Sequence, residues 1–266
     1  QSDTFPNKVA PFLYSASFTQ DSIWAQILRS PRLKKNADST TYPYKYSDLS
    51  FYFLKRIADT LLAETVERFS EEMYHNLGAG SLGFLPEKSV DKKRIAPTEA
   101  DSLFRKTLVH GLVHDQGAAL LGGIGGHAGL FGNANDLAKV MYMNLQGGNY
   151  AGIDYLQKST LDTFIVTQNP GYRGLGWDKA NPNLALSALP SAASVNAFGH
   201  TGFTGTAVWA DPMYNLVFVF LSNRVYPSAD NKKLINMNVR TRMLEAVYKS
   251  ITINNPDIPA ESSTKK

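Results

Sequence analysis

Leu49, Phe53, Ile57 and Leu61 recur at every fourth position, with Leu54 and Ala58 beside them. That spacing gathers the six on one face of a helix, and Ser47 and Asp48 just ahead suit its N-cap. A second helix is predicted over Glu64 to His75, carried by Val66, Phe69 and Met73 and ended by Gly78, Gly80 and Gly83. Residues 1–45 break short apolar groups with Pro6, Pro11, Pro31 and Pro43, which predicts loops and one short helix. Residues 84–130, with Pro86, Pro97 and the glycines from Gly122 to Gly129, are predicted to be loop-rich. Asn133 to Asp136 caps a helix through Met143, which Gly147 and Gly148 stop. Thr206 to Ala210 and Leu216 to Leu221 are β-rich runs joined by Asp211 to Asn215, a hairpin with a five-residue turn. Ile235, Val239, Met243 and Val247 then form one stripe at i, i+4 spacing, so a closing helix is expected to pack on that hairpin. The pattern is α/β (α+β): an antiparallel sheet flanked by helices, plus a helical lobe. Residues 46–165 supply that lobe, 170–253 the sheet side with the site between them, and 254–266 a polar tail.

Composition narrows the function. The 266 residues suffice for one large domain or two small ones, and 43% hydrophobic content is that of an ordinary folded globule. The longest apolar run, Leu216 to Leu221, falls far short of the roughly 20 residues that span a bilayer, so no membrane span is expected. The net charge of +4 is modest, and without clustering it argues against nucleic acid as a partner. Cysteine is absent, which excludes disulfides, thiolate nucleophiles and zinc ribbons. The chain begins Gln-Ser-Asp-Thr, with no Met and no signal-like segment, and the expectation is that something upstream was removed.

Several motifs match chemistry by letters only. Gly123-x-Gly125-x-x-Ala128 copies a dinucleotide fingerprint but lacks the strand ahead of it. His110 and His114, with His127 and Asp115, could form a zinc site, but Gly111 and the glycines that follow argue against a rigid helix presenting both rings. Ser-x-x-Lys places a serine one turn from an amine that can take its proton. The letters occur at Ser89 to Lys92, Ser262 to Lys265 and Ser263 to Lys266, none in a setting that buries the lysine, and chance is the better reading. Gly199 to Thr206 differs: small residues flank a cationisable ring and a hydroxyl just before an apolar hairpin, which suits a substrate lying along a strand edge. The bland alternative is a glycine-rich bulge around a buried histidine.

Five segments in order carry a resemblance: Tyr46-Ser47-Asp48 ahead of a helix, Leu121 to Phe131, Gly174-Leu175-Gly176-Trp177, His200-Thr201-Gly202 running into Trp209 to Pro212, and Leu221-Ser222-Asn223-Arg224. Together they resemble the serine β-lactamase and penicillin-binding-protein superfamily. The nearest branches are the class C β-lactamases, the related esterases, and the β-lactamase-like domain appended to some bacterial family 3 glycoside hydrolases. The resemblance spans about residues 5 to 250.

It implies an acyl hydrolase working through an acyl-serine intermediate on a β-lactam, an ester or a D-Ala peptide. Catalytic roles are implied for Tyr46, the phenol that shuttles protons, for His200 at the Lys of Lys-Thr-Gly, and for Phe203, whose backbone N–H is half of an oxyanion hole. Substrate-binding roles are implied for Asp48, Thr201, Gly202 and His127, with no metal and no cofactor. Two departures shift the chemistry. Asp48 stands where Asn is usual and only accepts when ionised. His200 replaces a lysine, which weakens the anchoring of a substrate carboxylate and makes an ester or peptide as good a substrate as a β-lactam.

A third departure is larger. In the resembled family the Ser-x-x-Lys helix and the first strands precede the tyrosine motif, and here only 45 residues do. The expectation is a C-terminal portion of one domain, lacking N-terminal strands and nucleophile helix, inactive alone, and leaving apolar surface for the upstream segment of the same polypeptide or another chain to cover. The expected partner is otherwise a small-molecule or muropeptide substrate, in the periplasm or at the cell surface. A different class of reading is a non-catalytic peptidoglycan-binding module of a larger cell-wall glycosidase.

Overall fold

A computed structural model describes residues 2–38, 40–168 and 172–254. The tail from residue 255, with the two Ser-x-x-Lys matches in it, lies outside the described residues. The chain divides into two compact units, one formed by the residues up to Met73 with Ser81–Gly132 and Tyr226–Ser228, the other by Tyr74–Gly80, Asn133–Val225 and the chain from Ala229 on.

The first unit opens with an antiparallel hairpin of β1 (Asn7–Ala10) and β2 (Leu13–Ser15), where the sequence predicts loops. Strands of four and three residues are too short for a period of two to show, and Pro11 sits in their turn. Val9 is buried with Val113, Ala118 and Ala119, which makes the hairpin part of this unit's core. The predicted short helix is α1 (Thr19–Arg29). The first predicted stripe forms α2 (Leu49–Leu62), and the second forms α3 (Val66–Asn76). Ser47 alone fills the expected capping role: its Oγ accepts from the Leu49 N–H at 3.3 Å, while the Asp48 side chain makes no capping bond. Lys55 ties α2 to α3 by its ion pair with Glu67 at 3.2 Å, and Asp59, which pairs with Lys55 along α2 at 2.8 Å, accepts from the Val66 N–H of α3 at 2.7 Å. No residue of α2 is buried, and Leu61 is 80% exposed. Periodicity therefore sets the helix but not its packing.

Residues 84–130 are largely loop, as expected, with a small ladder of β3 (Ala100–Asp101) and β4 (Thr107–Leu108) and the short α4 (Gln116–Leu120). Asp115 caps α4, accepting from the Ala118 N–H at 2.7 Å. Within the glycine cluster, a side chain at Gly126 would collide with the carbonyl of Phe51 on α2, so only glycine lets the two backbones approach this closely.

In the second unit α5 (Ala134–Leu145) is capped as predicted by Asn133, whose Oδ1 accepts from the Asp136 N–H at 2.9 Å. A minimal hairpin of β5 (Asn149–Tyr150) and β6 (Ile153–Asp154) and helix α6 (Lys158–Ile165) follow. Four antiparallel strands then assemble in the order β10-β9-β8-β7: β7 (Asp178–Lys179), β8 (Phe198–Thr201), β9 (Ala207–Asp211) and β10 (Leu216–Phe220). The β9–β10 connection is the expected one, a 3₁₀ turn over Pro212–Tyr214 closed by Asn215 at φ 44°. Alternate residues serve opposite faces. Val208, Ala210 and Val217 pack with Met141 of α5, whereas Ala207, Trp209 and Phe218 pack with Leu244 and Tyr248. A sheet covered on both faces explains why β10 is apolar without alternation.

The chain closes with α7 (Lys233–Asn236) and α8 (Val239–Asn254), and here the predicted stripe is corrected. Ile235 and Met243 are 45% and 47% exposed, and the packed face is Leu244, Tyr248 and Ile251. At 3.6 residues per turn each four-residue step overshoots by about 40°, so a strict i, i+4 series winds off any flat surface. Asn238 at φ 49° also interrupts the helix between its first two members. Under this face Asp211 is buried and fully engaged: it accepts from the Ser194 N–H and Oγ at 2.9 and 2.6 Å, the Met213 N–H at 3.1 Å and the Tyr248 hydroxyl at 2.6 Å.

Candidate active site

In the second unit the chemistry gathers at the end of β8. Strand β9 pairs with its whole length, His200 opposite Val208 and Thr201 opposite Ala207, while β7 pairs only as far as Gly199. His200 and Thr201 thus extend past β7. The His200 ring is part-buried, with Nδ1 2.8 Å from the Thr201 carbonyl and Nε2 2.8 Å from Nη2 of Arg173. A guanidinium only donates, so Nε2 accepts and the ring is the neutral tautomer with its proton on Nδ1. Arg173 is gripped through Nη1 by Asp178 Oδ1. The other carboxylate oxygen stands 3.9 Å from Nε2, beyond hydrogen-bond reach.

The Gly202–Thr206 turn that follows is tightly tied. Gly202 N–H donates to the Thr206 carbonyl at 2.8 Å and Gly205 N–H to the Gly202 carbonyl at 3.1 Å. Arg224 donates from Nε to the Phe203 carbonyl at 2.8 Å and lies 4.6 Å from the centre of that ring, which is otherwise 63% exposed. Gly205 adopts φ 111°, and a side chain there would strike the Ser222 hydroxyl, which donates to the Gly205 carbonyl. The turn is consequently glycine-dependent.

In the first unit, Tyr46 and Asp48 are exposed where the loop enters α2. Carboxylate oxygens of Asp48 and Asp115 and a ring nitrogen of His127 lie within 4.8 Å of one another. The His127 side chain is only 6% exposed, its Nε2 is 2.8 Å from Asp115 Oδ1, and Tyr52 stands edge-on to it at 4.5 Å. The resemblance places His127 among the substrate-binding residues; the structure commits its ring to Asp115 and Tyr52. Burial raises the pKa of Asp115, but the His127 hydrogen bond, the Ala118 N–H and the charges of His127 and His114 outweigh it and hold the carboxyl below its ordinary range. Burial, with the charges of Asp115 and Asp48, pushes the Tyr52 phenol up to about 12, so it stays protonated. Behind Tyr52, a cavity of about 260 Å³ is lined by Gln20, Trp24, Lys55, Arg56 and Asp59 among others. Two of its cations are engaged, Lys55 by Asp59 and Arg56 by the Trp24 ring at 4.7 Å.

The zinc alternative does not assemble. His110 Nε2 lies 2.6 Å from the Ile95 carbonyl and His114 Nε2 2.8 Å from Glu99 Oε2, while His127 faces Asp115, so the three rings serve three different partners. The trio Asp48, Asp115 and His127 is the one ion-sized group among the described residues. Its chemistry disfavours a metal. An ion on Nε2 would force the proton onto Nδ1, which is buried without a hydrogen-bond partner, whereas metal-bound histidines give that N–H to an acceptor. Ser89 and Lys92 belong to separate 3₁₀ turns, and the Lys92 amine is 3.3 Å from Glu87, so the Ser-x-x-Lys letters there form no nucleophile–base pair.

Sequence reasoning missed Arg173 and Asp178, and it named Arg224 only as the end of the Leu221-Ser222-Asn223-Arg224 segment, without its hold on the Phe203 carbonyl. Arg173 stands 27 positions before His200 and reaches it through the β7–β8 pairing. Its one visible signal was adjacency to the Gly174-Leu175-Gly176-Trp177 motif.

Comparison with known proteins shows the family and the fold. The family described as Beta-lactamase matches residues 7–238, and the chain belongs to that family. A protein of Escherichia coli strain K12 with the provisional name D-alanyl-D-alanine carboxypeptidase is 32% identical over 261 residues, covering 92% of this chain and 58% of its own length. The chain thus spans little more than half of the curated relatives it matches. Among solved structures, the selenomethionyl simvastatin synthase LovD of Aspergillus terreus shares the fold at TM-score 0.56 and 16% identity, over 93% of this chain and 67% of that one. A penicillin-binding-protein homologue from Caulobacter crescentus shares it at TM-score 0.53 and 19% identity, over 80% and 60% respectively.

Proposed function

We propose that this chain supplies the proton-shuttling phenol and the substrate-strand side of a serine acyl hydrolase acting on peptides that end in D-alanine, the class for which its 32%-identical relatives are named. Tyr46 carries protons between nucleophile and leaving group. Thr201 and Gly202 line the substrate, and the Phe203 N–H meets the developing oxyanion. The attacking hydroxyl is assigned to no residue here, since Ser89 lacks its amine, and this reading takes it from polypeptide outside the 266 residues. Work on cell-wall peptide goes with a place in the cell envelope, periplasm or surface.

One observation carries the substrate assignment: Arg173 is seated against His200 beside Thr201. A neutral imidazole has replaced the family's lysine, and a guanidinium returns directed donors to the same strand end. Asp178 offsets part of its charge, so recognition of a terminal carboxylate rests on aimed N–H groups more than on net charge. The test is calorimetric binding of N-acyl-D-Ala-D-Ala against its C-terminal amide. The acid is expected to bind about tenfold tighter, and Arg173→Gln to erase the difference. Equal affinity of acid and amide for the unaltered chain would overturn the assignment.

A further inference from the structure

Gly202 and Phe203 share one peptide group, and its plane is fixed by what the Gly202 oxygen receives. That oxygen accepts from the Gly205 N–H at 3.1 Å and from Nη1 of Arg240 at 3.2 Å. The same Nη1 reaches the Thr206 oxygen at 2.9 Å, and Thr206 in turn accepts from the Gly202 N–H at 2.8 Å. Arg240 therefore bridges both ends of the turn. A peptide is planar and trans, with its C=O and N–H opposed, so holding the Gly202 oxygen sets the direction of the Phe203 N–H. A charged donor on the oxygen also polarises the group and makes that N–H a stronger donor.

The next peptide is treated alike. Arg224 holds the Phe203 oxygen and covers its ring, and its remaining Nη1 contacts are the carbonyls of Ala229 and Asn231 at 3.2 and 3.1 Å. Two guanidinium groups are thus brought close enough for Arg224 to affect Arg240, a repulsion on top of the partial burial of Arg240. Between them the two guanidinium groups hold both peptides that flank Phe203.

We propose that Arg240 is a positioning residue that aims and strengthens the Phe203 N–H through the Gly202 carbonyl. The proposal deepens the functional reading above, in which that N–H receives the oxyanion. It concerns a residue of α8 that acts through the Gly202 carbonyl.

The test uses Arg240→Ala, Arg240→Lys and, as a control on the same helix, Arg242→Ala at an exposed position. In the isotopically labelled chain, Arg240→Ala is expected to displace the Phe203 amide and Gly202 carbonyl resonances. Arg240→Lys should restore them in part, and Arg242→Ala should leave them in place. Ligand binding supplies the second readout. A phosphonate analogue of N-acyl-D-Ala-D-Ala, tetrahedral and anionic at the reacting centre, should lose about tenfold in affinity with Arg240→Ala, while the planar dipeptide changes less than about twofold. Unmoved Phe203 and Gly202 resonances, or equal losses for both ligands, would overturn the proposal. If Arg240→Ala does not fold, Arg240→Lys decides by the same two readouts. If the unaltered chain binds neither ligand the functional reading fails, and the resonances still decide the positioning claim.

Discussion

Arg173 donates to the Nε2 of His200 across 2.8 Å, while the Nδ1 of the same ring lies 2.8 Å from the carbonyl of Thr201. One donor-only partner and one acceptor-only partner fix the tautomer. Nitrogen NMR of the folded chain is expected to show a protonated Nδ1 and a bare Nε2 for His200. Arg173→Gln should let the two tautomers mix, and a ring found protonated on Nε2 in the unaltered chain would contradict the geometry.

Lys179 is buried, with its amine 2.9 Å from the Asn196 carbonyl. Burial lowers its pKa from the ordinary 10.5 to about 8, against the opposing pull of Asp211. Between those values the unfolded chain binds more protons than the folded one, so stability rises with pH through that window. From pH 8 to pH 10 this lysine should add about 2 kcal/mol at most. Urea unfolding of the unaltered chain and of Lys179→Met at both pH values checks this: the difference in stability between them should narrow as pH rises.

The Asp211 carboxylate joins Ser194, the β9–β10 turn and α8 through four hydrogen bonds. Tyr248→Phe removes one partner and should cost about 1–2 kcal/mol. Asp211→Ala strands several buried donors at once and should cost about 3 kcal/mol or more. Leu244→Ala, next to this network and fully buried, should cost about 2–5 kcal/mol through the cavity it leaves. Denaturant midpoints give all three, and an Asp211→Ala protein as stable as Tyr248→Phe would mean the network carries little.

Among the described residues, Ser89 is not set up as a nucleophile, since the amine of Lys92, the lysine of its Ser-x-x-Lys letters, is held by Glu87. A fluorescent penicillin or fluorophosphonate should leave the folded 266 residues unlabelled, read by intact-protein mass spectrometry. Stoichiometric modification of Ser89 would sink that assignment.

Local pattern carried much of the fold. The α2 stripe, the Asn133 cap of α5 and the two apolar runs of the β9–β10 hairpin are short-range signals, and each produced its element. The closing helix shows where such signals stop: residues at i, i+4 identify a helix, but which of them face the sheet depends on the break at Asn238 and the overshoot of each step. The β1–β2 hairpin was invisible because seven residues hold too little alternation to read.

The candidate site divides along the same line. Linear motifs bring Tyr46 next to Asp48, and His200 next to Thr201, Gly202 and Phe203, because those neighbours are covalently adjacent. Which groups tune them is a matter of pairing across strands and turns. Arg173 reaches His200 from 27 positions away, Arg240 reaches Gly202 from 38, and Asp115 meets His127 from 12. The amino-acid order alone determined the longer helices, the β9–β10 hairpin and the family motifs, since those depend on residues within a few positions of each other. The protonation of His200, the clamping of the Phe203 turn and the burial of His127 were decided only by tertiary structure, because hydrogen bonds and desolvation act through distance in space and not along the chain.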